Sequence, residues 1–109
     1  MRLSPFAALR LKQKQLRLDA VRTEVDRALA ALREKGVVAE VIGSFVNGRF
    51  SLHSDVDFLI HDAAGLSDGT LFNLLTDHVR SAQVDMLFSD RLSAKSLAIM
   101  RAAGGEAAA

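Results

Sequence analysis

The 109-residue chain contains no cysteine, tryptophan or tyrosine and only one proline. Without cysteine it can form no disulfide, no thiolate metal site and no thiol nucleophile. Because tyrosine and tryptophan are absent and five of the six phenylalanines are expected in the core, we expect no platform on which single-stranded bases would stack. No apolar run approaches the roughly 18 residues of a membrane span, and the first residues lack the apolar region of a signal peptide. We therefore expect a soluble, cytoplasmic protein with no membrane contact.

The residues that are present have the composition of one folded domain. Half are hydrophobic and a quarter are charged, and the length is that of a single domain. The net charge of +1 gives no general attraction to nucleic acid, so we expect no direct nucleic-acid binding. Residues 1–35 carry nine Lys or Arg and four acids, whereas residues 36–109 carry five and nine. The basic segment is either a solvated helix face or a surface that faces a partner or a phosphate.

Hydrophobic periodicity predicts alternating helices and strands. The predicted elements are a helix over 5–35, strands over 37–42, 55–60 and 83–88, a helix that follows the turn and cap residues 66–69 and ends at about 81, and a helix over 90–103. A helical connection is expected between the first two strands. This order predicts an α/β (α+β) fold, a small mixed three-stranded sheet flanked by about four helices, as one domain over 1–109 with its core at 37–88.

The first helix is long for so small a domain. A continuous helix over 5–35 would extend about 46 Å at 1.5 Å per residue. We expect it either to break near residues 11–14 or to project in part and pack on something else.

Two carboxylates open the second predicted strand. Side chains alternate along a strand, so Asp55 and Asp57 project from the same face. Adjacent carboxylates repel each other, and burying one of them unpaired is costly. A hard divalent cation such as Mg²⁺ between them would make the pair favourable, because Mg²⁺ binds carboxylate oxygens and keeps other positions for water and phosphate.

Two further features suit the same chemistry. Gly43-Ser44 ends the first strand, where backbone N–H groups and a hydroxyl can approach a phosphate; the alternative is a strand-ending glycine followed by a capping serine. Asp85 lies alone within an apolar strand and can complete a site of three carboxylates, as a metal ligand or as a base. The alternative for Asp85 is an edge-strand acid that faces water.

Taken together, these residues resemble a known signature. Gly43-Ser44, ten intervening residues, Asp55-Val56-Asp57 in an apolar strand and the later Asp85 look like the motif of the DNA polymerase β-type nucleotidyltransferase superfamily. The short chain is most similar to the minimal nucleotidyltransferases, which are often paired with a helical HEPN-domain protein in toxin–antitoxin modules. The resemblance covers about residues 37–88 and implies a nucleotidyltransferase-like fold.

The resemblance implies a role for each of these residues. Asp55 and Asp57 would bind the catalytic Mg²⁺ ions, and Asp85 would be the third metal ligand or would activate the acceptor hydroxyl. Gly43 and Ser44 would hold ATP or another nucleoside triphosphate. The implied reaction is attack of a hydroxyl on the α-phosphorus, with pyrophosphate as the leaving group.

The chain departs from the pattern of minimal members between the two halves of the motif. Those members often have arginines at positions that are Asn47 and Ser51 in this chain. Arg49 lies between them and can compensate from a shifted register as a triphosphate ligand, or it faces solvent.

These observations lead to one principal hypothesis and two alternatives. The principal hypothesis is a nucleotidyltransferase that moves AMP from ATP to a hydroxyl of a HEPN-type partner, as the antitoxin of the pair, in a hetero-oligomer or as a homodimer. The first alternative is a non-catalytic subunit that neutralises its partner by occupancy through the apolar stripe of the first helix, which includes Val21, Val25 and Leu29. The second is an antibiotic-modifying transferase that acts together with another subunit.

Overall fold

Helices and strands alternate along the chain in a computed structural model that describes residues 4–46 and 55–103, with side chains described as far as residue 99. The elements are α1 (Pro5–Glu34), β1 (Val38–Ile42), β2 (Asp55–Asp62), α2 (Asp68–His78), β3 (Gln83–Phe88), a 3₁₀ turn (Ser89–Arg91) and α3 (Ala94–Ala103). The fold is α+β, with three α-helices and a mixed three-stranded sheet in these residues. None of the described helices has the length and apolar character needed to cross a bilayer.

The sheet has the order β1-β2-β3. β1 and β2 are antiparallel, and β2 and β3 are parallel, with α2 as the crossover that a parallel pair requires. One face of β2 presents Val56, Phe58 and Ile60 to a core shared with α1 and α2, and all three side chains are fully buried. By alternation, the acids of β2 lie on the opposite face.

Helix α1 is unbroken, so the expected break near residues 11–14 is wrong. It begins at Ser4, whose Oγ accepts a hydrogen bond from the backbone N–H of Ala7 at 3.1 Å, and it ends before Gly36, which has a φ of +81°. Its buried residues, the first of which is Val21, all lie in its second half. The expectation that part of the helix projects is confirmed for its first half, which contributes none of the buried residues of α1. What that half packs on stays a prediction.

The apolar stripe in the second half of α1 is core rather than a docking surface. Val21 is 0 % exposed and Val25 is 2 % exposed, and Leu29 packs partly buried against the same cluster. The hypothesis that these three side chains bind a partner is therefore wrong. Polar substitutions there would open the core, since burying such a side chain contributes roughly 1.5–3 kcal/mol.

The strands agree with the predicted segments to within two residues, but two predicted helix boundaries are wrong. Helix α2 ends at His78 rather than near residue 81, because the next backbone N–H groups, of Arg80 and Ser81, donate to the Glu24 carboxylate. The last helix begins at Ala94 rather than at residue 90, and its first turn is capped by Ser93 Oγ.

The predicted helical connection between β1 and β2 is described only in part. Residues 44–46 form a turn rather than a helix. Residues 47–54 lie outside the described part of the chain. A fourth helix is therefore not found within the residues that the structure describes.

Candidate functional site

Strand pairing brings the three acids of the motif together. Asp57 on β2 is the register partner of Asp85 on β3. Register partners in neighbouring strands lie about 4.8 Å apart and project to the same face of the sheet. Asp55 precedes Asp57 by two residues on β2 and therefore shares this face. The three acids form a patch at one end of the parallel pair, which we call the acid cluster.

Asp57 is the central member of the acid cluster. Its carboxyl is half-buried, whereas Asp55 and Asp85 are exposed. Burial first, and then the neighbouring charges of Asp85 and Asp55, together raise the pKa of Asp57 from 3.8 to about 6. The ion pairs of the described residues, His61–Glu40 and Arg91–Asp68, do not include any of the three acids. Negative charge in the cluster is therefore concentrated without a compensating cation from the described side chains.

Gly43 places backbone directly against the central carboxylate. Its preceding residue, Ile42, ends β1 as the register partner of Asp57. Gly43 is buried and has a φ of +85°, and a Cβ atom added there would lie 2.5 Å from Oδ2 of Asp57. Both the backbone conformation and the contact therefore require glycine. The turn after β1 approaches Asp57 with no side chain between them.

Of the other residues of the predicted site, Ser44 and Asp85 lie in the described part of the chain. Ser44 follows Gly43 in the turn and is half-buried, so it borders the acid cluster through its neighbour. Arg49, like Asn47 and Ser51, lies outside the described residues. Asp85 lies on an edge strand and is exposed, as its alternative interpretation required, yet it is also the direct neighbour of Asp57. One of its carboxylate oxygens, Oδ1, accepts a hydrogen bond from the N–H of Met86 at 3.0 Å.

The donor set of the acid cluster suits a hard divalent cation. Carboxylate oxygens are the ligands that Mg²⁺ prefers, and in nucleotide sites one or two carboxylates hold it together with substrate phosphates and water. Within the described ranges, no group of three or more His, Cys, Asp or Glu side chains is arranged to hold a metal by itself. The three acids are therefore not arranged as a complete metal cage among the described side chains.

Glu24 and Arg17 on α1 hold the turn before β3 in place, and neither of them was selected from the sequence. The Glu24 carboxylate accepts hydrogen bonds from the N–H groups of Arg80 and Ser81, each at 2.8 Å, and from Ser81 Oγ at 2.7 Å. The Nε of Arg17 donates to the Ser81 carbonyl at 3.0 Å. These contacts anchor the turn that leads to Asp85 four residues later. Both residues look like ordinary charged positions of a helix, so no sequence signal distinguishes them.

An open cavity of about 230 Å³ lies elsewhere, where the end of α1 meets the start of β1. The acid cluster is at the other end of β1, beside Gly43. The cavity is lined by Leu29, Leu32, Arg33, Val37, Val38 and Ala39. With one cation and no acid it offers no arrangement for catalysis.

Comparison of the chain with protein-family models, with curated proteins and with solved structures gives no match. A functional conclusion therefore depends on the residues of the acid cluster and on the turn beside them.

Proposed function

We propose that this protein is a Mg²⁺-dependent nucleotidyltransferase that transfers AMP from ATP to a hydroxyl of a partner protein. The observation that carries the proposal is the position of Asp57. It lies beside Asp85 on a parallel strand, shares a face with Asp55 and contacts the backbone of Gly43. Unpaired acids in a half-buried cluster destabilise a fold, and such clusters are typical of functional sites.

Each residue of the cluster has a distinct role in the proposed reaction. Asp55 and Asp57 would hold Mg²⁺ together with the phosphates of ATP. When bound there, Mg²⁺ would neutralise charge on the phosphates and lower the pKa of the attacking hydroxyl. Gly43 allows the triphosphate to approach the backbone of the turn, and the Ser44 hydroxyl can donate to a phosphate oxygen. Arg49 would add a cation to the triphosphate.

The reaction has one bond-forming and one bond-breaking event at the α-phosphorus. The acceptor hydroxyl oxygen forms a bond to that phosphorus, and the bond from it to the oxygen that bridges to the β-phosphate breaks. Pyrophosphate leaves. Asp85, which is exposed and adjacent to Asp57, would accept the hydroxyl proton and release it to solvent.

The resemblance to minimal nucleotidyltransferases also supports a proposal for the acceptor. We propose a hydroxyl of a HEPN-type protein encoded beside this chain, and the role of antitoxin that such pairing implies. ATP rather than another nucleoside triphosphate is part of the same proposal.

The test is transfer of label from ATP that is radioactive at the α-phosphate. The full chain is incubated with this ATP, Mg²⁺ and the product of the neighbouring gene, and labelled protein and released pyrophosphate are both measured. Asp57→Asn and Asp85→Asn should each reduce transfer by at least about 100-fold. Asp77→Asn, which changes an exposed acid on α2, is the matched control and should transfer normally. Transfer that survives the double change Asp55→Asn with Asp57→Asn would refute the proposal.

A further inference from the structure

The first twelve residues of α1 form a helical arm that the other described residues leave exposed. We call residues 5–16 the arm. Its side chains Phe6, Leu9 and Leu16 are 77 %, 52 % and 59 % exposed, and the packing of α1 on the core begins at Leu18. The radius of gyration is 15.6 Å, against about 13 Å for a compact chain of this length. The arm continues a helix that is already formed, and a surface that covers its exposed apolar side chains would stabilise it by removing them from water.

Three of the four exposed large apolar side chains of the arm, together with Gln13, have the spacing of a coiled coil. Phe6, Leu9, Gln13 and Leu16 are separated by three, four and three residues, which are the a and d positions of a heptad. We call these four residues the seam. At 100° per residue the seam lies on a different side of α1 from the buried stripe, so it remains open along the whole arm. Leu11, which is 54 % exposed, falls at the outer f position.

The positions that flank the seam are basic. Arg10 occupies an e position and Lys12 a g position, and residues 5–16 contain no Asp or Glu. The next e position is Arg17, another basic residue, whose Nε donates to the Ser81 carbonyl. Charges at e and g determine which helices pair and in which orientation.

This charge pattern disfavours a second copy of the chain as the occupant of the seam. In a parallel pair of arms, Lys12 of one copy would face Arg17 of the other. In an antiparallel pair, e positions face e positions and g positions face g positions, which again places cations together. Like charges at these positions act against pairing. The seam therefore requires a different partner.

We propose that the arm docks an amphipathic helix of another protein, whose apolar seam is flanked by Glu and Asp. Carboxylates at the flanking positions of such a helix would face Arg10 and Lys12 across the seam. A lipid surface is less suitable, because the seam occupies two of every seven positions and includes Gln13, whereas a membrane-bound helix presents a wider apolar face. The surface is separate from the acid cluster, and the inference does not depend on the proposed transfer reaction.

The test uses two synthetic helical peptides with leucine at every a and d position. One has Glu at e and g, and the other has Lys there. Each carries a fluorophore and is titrated with the full chain while anisotropy is recorded. The Glu peptide should bind, and more weakly as salt is added. The Lys peptide should not bind.

The chain offers a matched pair of variants for this titration. The double variant Leu9→Gln with Leu16→Gln removes the centre of the seam, and Leu11→Gln changes an equally exposed leucine outside it. Gln has nearly the helix propensity of Leu, and none of these side chains is in the core, so thermal unfolding should be unchanged. The double variant should weaken binding of the Glu peptide by at least about tenfold. Leu11→Gln should bind as the unmodified chain does.

Four results would overturn the proposal. The first is binding of both peptides with similar affinity, and the second is binding of the Glu peptide that the double variant does not weaken. The third is self-association in sedimentation that the double variant abolishes, which would make a second copy the occupant. The fourth is tighter binding to anionic phospholipid vesicles than to the Glu peptide, which would make the arm a membrane-surface helix. Loss of AMP transfer in the acid-cluster variants is measured separately and affects none of these outcomes.

Discussion

Replacing Asp57 by Asn should make the metal-free protein more stable at neutral pH. In the folded state Asp57 keeps its proton up to about pH 6, because burial and the charges of Asp85 and Asp55 raise its pKa from 3.8. Between these two values the folded state binds more protons than the unfolded state, so the free energy of unfolding falls as pH rises. Above about pH 6 the whole destabilisation is present. Asn has nearly the same shape and no charge, so the variant should avoid this destabilisation.

The size of the effect follows from the change in pKa. A carboxyl whose pKa rises from 3.8 to about 6 on folding lowers the free energy of unfolding by at most about 3 kcal/mol. Asp57 is only half-buried and its two neighbours are exposed, so solvent screens part of the interaction. We therefore expect Asp57→Asn to gain about 1–2 kcal/mol at neutral pH. For a domain of about this length, each kcal/mol of added stability raises the melting temperature by roughly 4–8 °C.

The measurement is urea unfolding of both proteins across a pH series, with a chelator present. The advantage of the variant should be largest above about pH 7 and should shrink towards pH 4, where both forms of residue 57 are uncharged in the folded state. If the proposed site binds Mg²⁺ through this carboxylate, added Mg²⁺ should stabilise the unmodified chain more than the variant. The control Asp77→Asn should stay within about 0.5 kcal/mol of the unmodified chain at every pH. A variant that is destabilised at neutral pH, or an advantage that does not depend on pH, would refute the argument.

Two further predictions concern the backbone around the cluster. Gly43→Ala and Gly65→Ala both place a Cβ on a residue with a positive φ, +85° at position 43 and +80° at position 65. The Cβ at position 43 would contact Asp57, whereas nothing lies within 4 Å of a Cβ at position 65. Gly65→Ala should cost about 1 kcal/mol in urea unfolding, and Gly43→Ala should cost more and also weaken Mg²⁺–ATP binding in calorimetry; equal costs and unchanged binding would contradict the contact. Glu24→Ala should cost about 1–3 kcal/mol, because three donors of the turn before β3 lose their acceptor, whereas Asp26→Ala, an exposed change on the same helix, should cost little. Burial acts to raise the pKa of Glu24, but hydrogen bonds from that turn outweigh burial and lower the pKa below 4.5. The stability that the Glu24 carboxylate contributes to the fold should therefore be complete above pH 4.5 and lost at lower pH. A penalty for Glu24→Ala that persists in acid would count against this reasoning.

Sequence periodicity could predict the strands and the face on which Asp55 and Asp57 lie. It could not predict that Asp85 is the register partner of Asp57. That pairing depends on the parallel crossover through α2 and on the anchoring of the turn before β3 by Glu24, a contact between residues more than fifty positions apart. A local pattern contains no information about a contact of this kind. The three acids could therefore be proposed as one site, but the exact register that places Asp85 beside Asp57 could not be predicted.

The arm shows a different limit of sequence reasoning. Leu9 and Leu16 are as apolar as the residues of the buried stripe of α1 and also recur at helical spacing. The sequence pattern therefore does not predict that they are exposed. Exposure depends on where the sheet and α2 end, because among the described residues it is the second half of α1 that packs on the core. The charge pattern contains information that hydrophobicity does not, since basic residues flank the seam and no acid occurs in residues 5–16.

The acid cluster makes sense only if it has a use beyond folding. The rows that follow it on the paired strands are apolar, Phe58 beside Met86 and Leu59 beside Leu87, and Phe58 and Leu59 are fully buried. Each such side chain contributes roughly 1.5–3 kcal/mol, which is enough to hold β2 and β3 in register against the repulsion that the paired acids introduce. Stability alone would favour an uncharged residue at Asp57, since that change removes the repulsion without altering the shape of the site. We propose that a cation at this position would account for a residue that weakens the fold and concentrates negative charge beside the glycine turn, as the proposed chemistry requires.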